Sequence, residues 1–133
     1  MRDYARLQTA NLLRRLAFQT SRAAQSGDAE AIHDLRVAIR RVGACLRAFA
    51  QFYPDRCPKR IRRRLGEMMD LAGAVRNLDI TLDLLREAGL PPKAPLATRL
   101  RDERRRAWGR LEREIRAWKS RAFSRKWRSR LEI

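Results

Sequence analysis

Apolar residues recur along this chain at the three- and four-residue spacing of an α-helix, and no segment alternates between apolar and polar positions as a strand does. The clearest pattern runs over residues 32–53, where the apolar positions are separated by three and four residues in turn. Its members are Ile32, Leu35, Ile39, Val42, Leu46, Phe49 and Tyr53. This spacing is typical of a helix that is buried along one side of a bundle.

Glycine and proline fall in three clusters that divide the chain, at Gly27, at Pro54 and Pro58, and from Gly89 onward. Asp28 is a suitable N-cap, and Gly27 and Gly89 suit the position just after a helix. We predict helices over about 3–25, 28–53, 58–88 and 94–119, with a short fifth helix near 122–131. Four long helices with tight connections predict an all-α fold, an antiparallel four-helix bundle that forms one domain over residues 1–133.

The apolar fraction of 44% is enough for a hydrophobic core. We expect Cys45 and the apolar positions of the first and fourth helices to lie in it. On the first helix these are Leu7, Leu12, Leu13, Leu16 and Phe18, and on the fourth Leu96, Leu100, Ala107, Leu111, Ile115 and Trp118.

Basic residues dominate the charge, because 32 lysines and arginines face 15 acidic residues and give a formal net charge of +17. Such a field attracts multivalent anions, and nucleic acid, polyphosphate and anionic membranes all qualify. All but Lys59, Lys93, Lys119 and Lys126 of the basic residues are arginines. The guanidinium fork suits phosphate, but a GC-rich genome produces the same bias, so the bias by itself decides nothing.

The two cysteines, Cys45 and Cys57, form no CxxC pair, and the N-terminus lacks the apolar segment of a signal peptide. No uncharged apolar run reaches the length of a membrane span. We expect a cytoplasmic protein with reduced thiols and no membrane span.

The second predicted helix carries a basic arc that is separate from its apolar seam. On a helical wheel, His33, Arg36, Arg40 and Arg47 lie within about 60° of one another. They span about 20 Å along the helix, which suits a long linear anion better than a compact one. Glu30 and Asp34 lie on a third side, so no neighbour on this helix neutralises the arc. The alternative interpretation is a solvated charged face.

Basic stripes also follow the third and fourth helices. Arg62, Gly66, Met69, Gly73 and Arg76 share one face of the third. Its two glycines either let a ligand approach the backbone or let a neighbouring helix pack closely, and the sequence favours close packing. The fourth helix carries a stripe made of Arg99, Arg106, Arg110 and Arg113, with Asp102, Glu103, Glu112 and Glu114 as candidate partners.

The run from Gly27 to Arg41 (GDAEAIHDLRVAIRR) strongly resembles the signature helix of the CHAD domains, the conserved histidine α-helical domains. The segment Val75–Asp79 (VRNLD) is similar to that family's Arg-Asp-Leu-Asp segment, and residues 119–131 resemble the end of one CHAD repeat. The resemblance covers nearly the whole chain. It implies a basic helical bundle that binds polyphosphate and associates with polyphosphate granules.

By position, the resemblance assigns the basic residues of the signature to His33, Arg36, Arg40 and Arg41, and that of the second motif to Arg76. Arg41 lies outside the arc on the wheel. Gly43 stands where the family often has a basic residue, and Asn77 replaces an acid, so the site is expected to be weaker or differently shaped.

Family members typically contain two such bundles, whereas this chain has the length of one. We therefore predict that two copies associate as a homodimer, the alternative being that the chain is a piece of a two-repeat protein.

We predict a protein that binds inorganic polyphosphate, rather than an enzyme, with no cofactor and no metal. The sequence offers no phosphate-binding loop and no metal-ligand spacing. Asp79 and Asp83 are more simply read as partners of Arg76 or nearby arginines than as a cation site. The predicted ligand residues are His33, Arg36, Arg40, Arg41, Arg47, Arg62, Arg76, Arg106 and Arg110.

Three other functions compete with this prediction. The main one is a nucleic-acid-binding module, in which Trp108, Trp118 and Trp127 stack on bases. Binding to an anionic membrane surface is disfavoured because the basic helices carry long core seams. The last is a scaffold recruited to granules by partner proteins.

Overall fold

The computed structural model describes all 133 residues and contains helices and no strands, which confirms the all-α prediction. The long helices are α1 (Arg2–Ser26), α2 (Ala29–Ala48), α3 (Cys57–Glu87) and α4 (Pro95–Ser120), and the short C-terminal helix is α5 (Phe123–Leu131). None of them combines the length and the hydropathy that a membrane-spanning segment needs.

Helix α2 ends at Ala48, earlier than the predicted boundary near residue 53. Phe49 leaves the α-helical conformation and a short 3-10 turn, Ala50–Phe52, follows. Tyr53 is extended, with φ −118° and ψ 158°. It precedes Pro54, and the proline ring disfavours the helical conformation for the residue before it, so the chain must leave the helix here.

The four long helices pack in chain order, α1 on α2, α2 on α3 and α3 on α4, and α1 meets α4 more loosely. Thr9 contacts Cys45 while Arg22 pairs with Asp34, so α1 and α2 run antiparallel. Helix α5 folds back across one end of the bundle and contacts α1, α3 and α4. The buried apolar residues of all five helices form one continuous core.

The turn between α1 and α2 has the predicted caps. Gly27 adopts the left-handed conformation, with φ 63°, and its N–H donates to the carbonyl of Ala23 at 2.8 Å. The Asp28 carboxylate accepts the N–H of Ala31 at 2.8 Å, and this hydrogen bond lowers the pKa of Asp28. The indole of Trp108 on α4 lies directly against Gly27.

Arg104 of α4 ties this turn to α3. Its Nε donates to Oδ1 of Asp79 at 2.8 Å, and its Nη2 donates to the carbonyl of Gly27 at 2.7 Å. The prediction that Asp79 pairs with an arginine is confirmed, but the partner is Arg104 and not Arg76. Asp83 pairs with Arg86, 3.1 Å away, as a neighbour one turn along α3.

Three residues predicted in the core, Leu7, Phe18 and Leu96, are exposed, with 58%, 64% and 41% of their surface accessible. Helix α1 is apolar on two sides, so its wheel alone does not identify the buried one. The side that packs carries Thr9 and Thr20, which are fully buried. Burial is tolerated because each hydroxyl donates to a carbonyl of the preceding turn at 2.8 Å.

Candidate anion-binding site

The basic arc of α2 lies beside α3. Asp34, on the far side of α2 from the arc, pairs with Arg22 of α1, so α1 covers that side. On the opposite side, the position of a Cβ on Gly43 is 4.0 Å from Leu65 of α3. Arg36, Arg40 and Arg47 share the Gly43 side of the wheel and therefore border the seam between α2 and α3.

Arg36 is the centre of the basic cluster at this seam. It is half-buried, and its Nε–H is enclosed without a hydrogen-bond acceptor. Burial lowers the pKa of Arg36, and the nearby charges of Arg40 on α2 and Arg76 on α3 lower it further. Three guanidinium groups thus stand close together with no carboxylate among them. An unsatisfied buried donor costs about 1–3 kcal/mol, so this cluster favours the arrival of an anion.

The acidic residues that form ion pairs do so with arginines other than the predicted ligands. The seven ion pairs use Arg22, Arg64, Arg86, Arg104, Arg105 and Arg116. None of the nine predicted ligand residues belongs to an ion pair. The cationic groups at the α2–α3 seam are therefore free of protein counter-charges.

The two glycines of α3 face open space. A Cβ placed on Gly66 or on Gly73 would meet no atom within 4 Å. No other helix of this chain therefore packs closely against either glycine. Between Arg62 and Arg76, the two glycines leave the backbone of α3 uncovered by side chains and accessible to a ligand.

We call this surface the α2–α3 face; its members are Arg36, Arg40 and Arg47 of α2 and Arg62, Gly66, Gly73 and Arg76 of α3. The helices are antiparallel, because Arg36 lies near Arg76 while Gly43 lies near Leu65. Arg47 and Arg62 are consequently at the same level, at the opposite end of the face from Arg36 and Arg76. The face is about 17 Å long, from the 1.5 Å rise per residue between Arg36 and Arg47.

His33 borders a different groove, between α1 and α2. This groove of about 390 Å³ is lined by His33, Asp34 and Arg41 of α2 and by Arg15 and Gln19 of α1. The arc predicted from the wheel therefore divides, with His33 on one side and Arg36 on the other. Arg41, outside that arc, shares the groove with His33. Arg15 is not among the predicted ligand residues, because a wheel of one helix does not show which residues its neighbour contributes.

The CHAD domain model matches residues 8–132 of the 133-residue chain, which includes both the α2–α3 face and the His33 groove. The chain belongs to the CHAD domain family. No curated protein and no solved structure shows significant similarity to it. CHAD domains are associated with polyphosphate-related proteins.

Arg106 and Arg110 lie apart from the α2–α3 face of this CHAD domain. Both are exposed on α4, more than about 100° around that helix from the centre of its buried side. Two of the four candidate carboxylates on this helix pair with other arginines, Asp102 with Arg105 and Glu112 with Arg116, and Glu114 accepts a hydrogen bond from Trp118. Arg106 and Arg110 thus remain unpaired and point to solvent.

Two of the three tryptophans of this CHAD domain are enclosed. Trp118 and Trp127 are 3% and 5% exposed, and together with Phe123 they form an aromatic cluster with ring centroids 5.0–5.1 Å apart. Trp108 is half-buried against Gly27. Base stacking requires an open ring face, so this arrangement does not favour a single-stranded nucleic acid as the ligand.

Proposed function

We propose that this CHAD domain binds inorganic polyphosphate along the α2–α3 face and holds it without chemical change. The observation that carries the proposal is Arg36, half-buried between two other arginines, with an Nε–H that has no acceptor. A phosphate of the chain supplies both the missing acceptor and the missing negative charge.

The geometry of the face suits a linear anion. Arg36, Arg40 and Arg76 hold one part of the chain, and Arg47 and Arg62 hold a part further along. Because Gly66 and Gly73 carry no side chain and face open space, the polyphosphate can approach the backbone of α3 between the two helices. Each phosphate that is neutralised releases counterions, so affinity falls as salt increases.

His33 and Arg41 belong to the proposal as a flanking groove that a longer chain reaches after passing Arg36. Association with polyphosphate granules and the homodimer are parts of the same proposal. Arg106 and Arg110, which the sequence places among the ligands, lie outside the proposed path along α2 and α3, and their replacement by alanine tests that path.

Competition between polyphosphate and nucleic acid tests the proposal. Long polyphosphate, duplex DNA and single-stranded RNA are compared at equal phosphate concentration and at two salt concentrations, with labelled polyphosphate as the tracer. We expect unlabelled polyphosphate to compete best and the affinity to fall with a log–log salt slope of about −4, since five arginines contribute about 0.7–0.9 each.

The competing function has a distinct result in the same assay. If duplex DNA displaces polyphosphate at equal phosphate concentration, the domain is a nucleic-acid binder and the proposal is wrong. Phosphate release is followed in parallel, with magnesium present. Because the domain is proposed to hold the chain, we expect its length to stay unchanged.

A further inference from the structure

A second basic surface lies on the other side of α3, in a cleft of about 510 Å³ between α3 and α5. Six cationic side chains line it, and they are Arg60, Arg63, Arg64, Arg121, Lys126 and Arg130. The only carboxylate in the lining is Glu67, which is 3.6 Å from Arg64. Six positive groups and one negative group leave a formal charge of +5 around one small cleft.

The cleft and the α2–α3 face lie on different sides of α3, and a basic depression between them is lined by Arg60, Arg62 and Arg63. On the wheel of α3, Arg60, Arg63 and Arg64 lie about 100–160° from Arg62, a member of that face. The rest of the cationic rim comes from the end of α4 and from α5, neither of which borders the α2–α3 face. A ligand held by Arg121, Lys126 and Arg130 therefore contacts residues that the α2–α3 face does not contain.

The position of α5 brings the rim together. The floor of the cleft is the enclosed cluster of Trp118, Phe123 and Trp127, and this cluster fixes α5 against the bundle. Burial raises the pKa of the Cys57 thiol, the charges of Arg130 and Arg60 act to lower it, and the charge of Glu132 acts to raise it, so the end of α5 lies near the start of α3.

The backbone around the cleft is strained. Left-handed conformations occur at three residues other than glycine: Arg56 before α3, Ala122 before α5 and Glu132 after α5. All three bound the two helices that form the cleft. Such conformations are unfavourable for L-residues, and they persist where packing over-determines them, often at functional sites.

We infer that the α3–α5 cleft is a second anion site, which takes a compact, multiply phosphorylated anion rather than an extended chain. Its rim is concentrated around one depression instead of a 17 Å line, and its volume suits a small ligand. The inference does not rest on polyphosphate binding at the α2–α3 face. The same chemistry comes from two sources, the end of a linear chain or a free small phosphate anion.

Titration with tripolyphosphate, followed by calorimetry and by the fluorescence of Trp118 and Trp127, tests the inference. We expect the Arg63→Ala, Lys126→Ala double variant to lose about 30-fold or more in affinity, because two charge-assisted contacts are removed. Both residues are exposed and outside every ion pair, so the variant keeps its fold, which circular dichroism verifies.

Two matched variants separate this result from diffuse attraction and from the α2–α3 face. The Arg106→Ala, Arg110→Ala variant removes the same charge from the outer side of α4. The Arg36→Ala, Arg40→Ala variant removes two positive charges from the α2–α3 face. We expect the Arg106→Ala, Arg110→Ala variant to change tripolyphosphate affinity less than about threefold. In the Arg36→Ala, Arg40→Ala variant, we expect the tripolyphosphate binding that remains to be weakened further by Arg63→Ala and Lys126→Ala. Equal losses in all three variants, or no binding by the wild type, would overturn the inference, whatever long polyphosphate does.

The source of the ligand is identified by comparing linear tripolyphosphate with cyclic trimetaphosphate, which has no chain end. If the cleft holds chain ends, the Arg63→Ala, Lys126→Ala variant loses affinity for the linear anion only. If it holds small phosphate anions in general, the variant loses affinity for both. Either pattern supports the site, and an unchanged affinity of the variant for both anions contradicts it.

Discussion

Replacing Arg36 and Arg40 by alanine is expected to weaken the binding of long polyphosphate about 30- to 100-fold, because two charge-assisted contacts to phosphate are lost. The same change is expected to leave the unfolding temperature unchanged or slightly higher. Arg36 is half-buried among like charges, and burial together with Arg40 and Arg76 lowers its pKa. Its removal therefore relieves desolvation and repulsion in the free protein.

Opposite effects on binding and on stability distinguish a ligand site from a structural role. If Arg36 mainly supported the fold, its loss would reduce both affinity and stability. The measurement is fluorescence anisotropy with labelled polyphosphate at several salt concentrations, alongside thermal denaturation. We also expect the log–log salt slope to become shallower by about 1.4–1.8, from two lost phosphate contacts.

Arg106 and Arg110 provide the matched control for this variant. They are also an arginine pair four residues apart on one helix, and both are exposed and unpaired. Their replacement by alanine removes the same charge, and we expect an affinity loss of less than about threefold. An equal loss from both pairs would mean that the net charge of +17 binds polyanions without a defined site.

The periodicity of α2 was sufficient to predict its buried seam and its separate basic arc. Both are properties of a single helix, because the five seam residues that lie within α2 and its basic residues repeat at the same period. The cap at Gly27 and Asp28 is also local, since it depends on one turn and on the hydrogen bond to Ala31. Local physics of this kind can be read directly from residue types and spacing.

What the sequence could not supply is the way in which helices face each other. The arc of α2 divides between two neighbours, with His33 facing a groove shared with α1 and Arg36 facing Arg76 of α3. Asp79 meets Arg104, which is 25 residues away along the chain. No single-helix pattern encodes these pairs, because they follow from packing between elements.

The apolar pattern misled where a helix is apolar on two sides. Leu7 and Phe18 of α1 are exposed, whereas Thr9 and Thr20 are buried. A threonine hydroxyl that donates to a carbonyl of its own helix needs no water molecule as a hydrogen-bond partner. Threonine is also small, so α1 can approach the neighbouring helices closely. The glycines of α3 are ambiguous in another way, since glycine permits both close packing and an open surface.

Replacing Gly27 by alanine is expected to lower the free energy of unfolding by about 2–4 kcal/mol, because two costs add. The left-handed conformation at φ 63° is unfavourable for alanine. A Cβ at this position would also lie 2.8 Å from Cε2 and Cζ2 of Trp108, so the indole or the turn must move. Movement of the turn disturbs the hydrogen bond from Arg104 to the Gly27 carbonyl.

Gly109 offers a control with the same chemical change and the opposite expected sign. It lies within α4, its φ is not positive, and a Cβ placed there meets no atom within 4 Å. Gly109→Ala should therefore raise the free energy of unfolding by about 0.5–1 kcal/mol, through its helix propensity. Urea denaturation followed by far-ultraviolet circular dichroism measures both variants. Repeating Gly27→Ala in a Trp108→Leu background separates the costs, since the smaller side chain relieves the contact and leaves the backbone strain. If Gly27→Ala is as harmless as Gly109→Ala, the turn between α1 and α2 does not need its left-handed glycine.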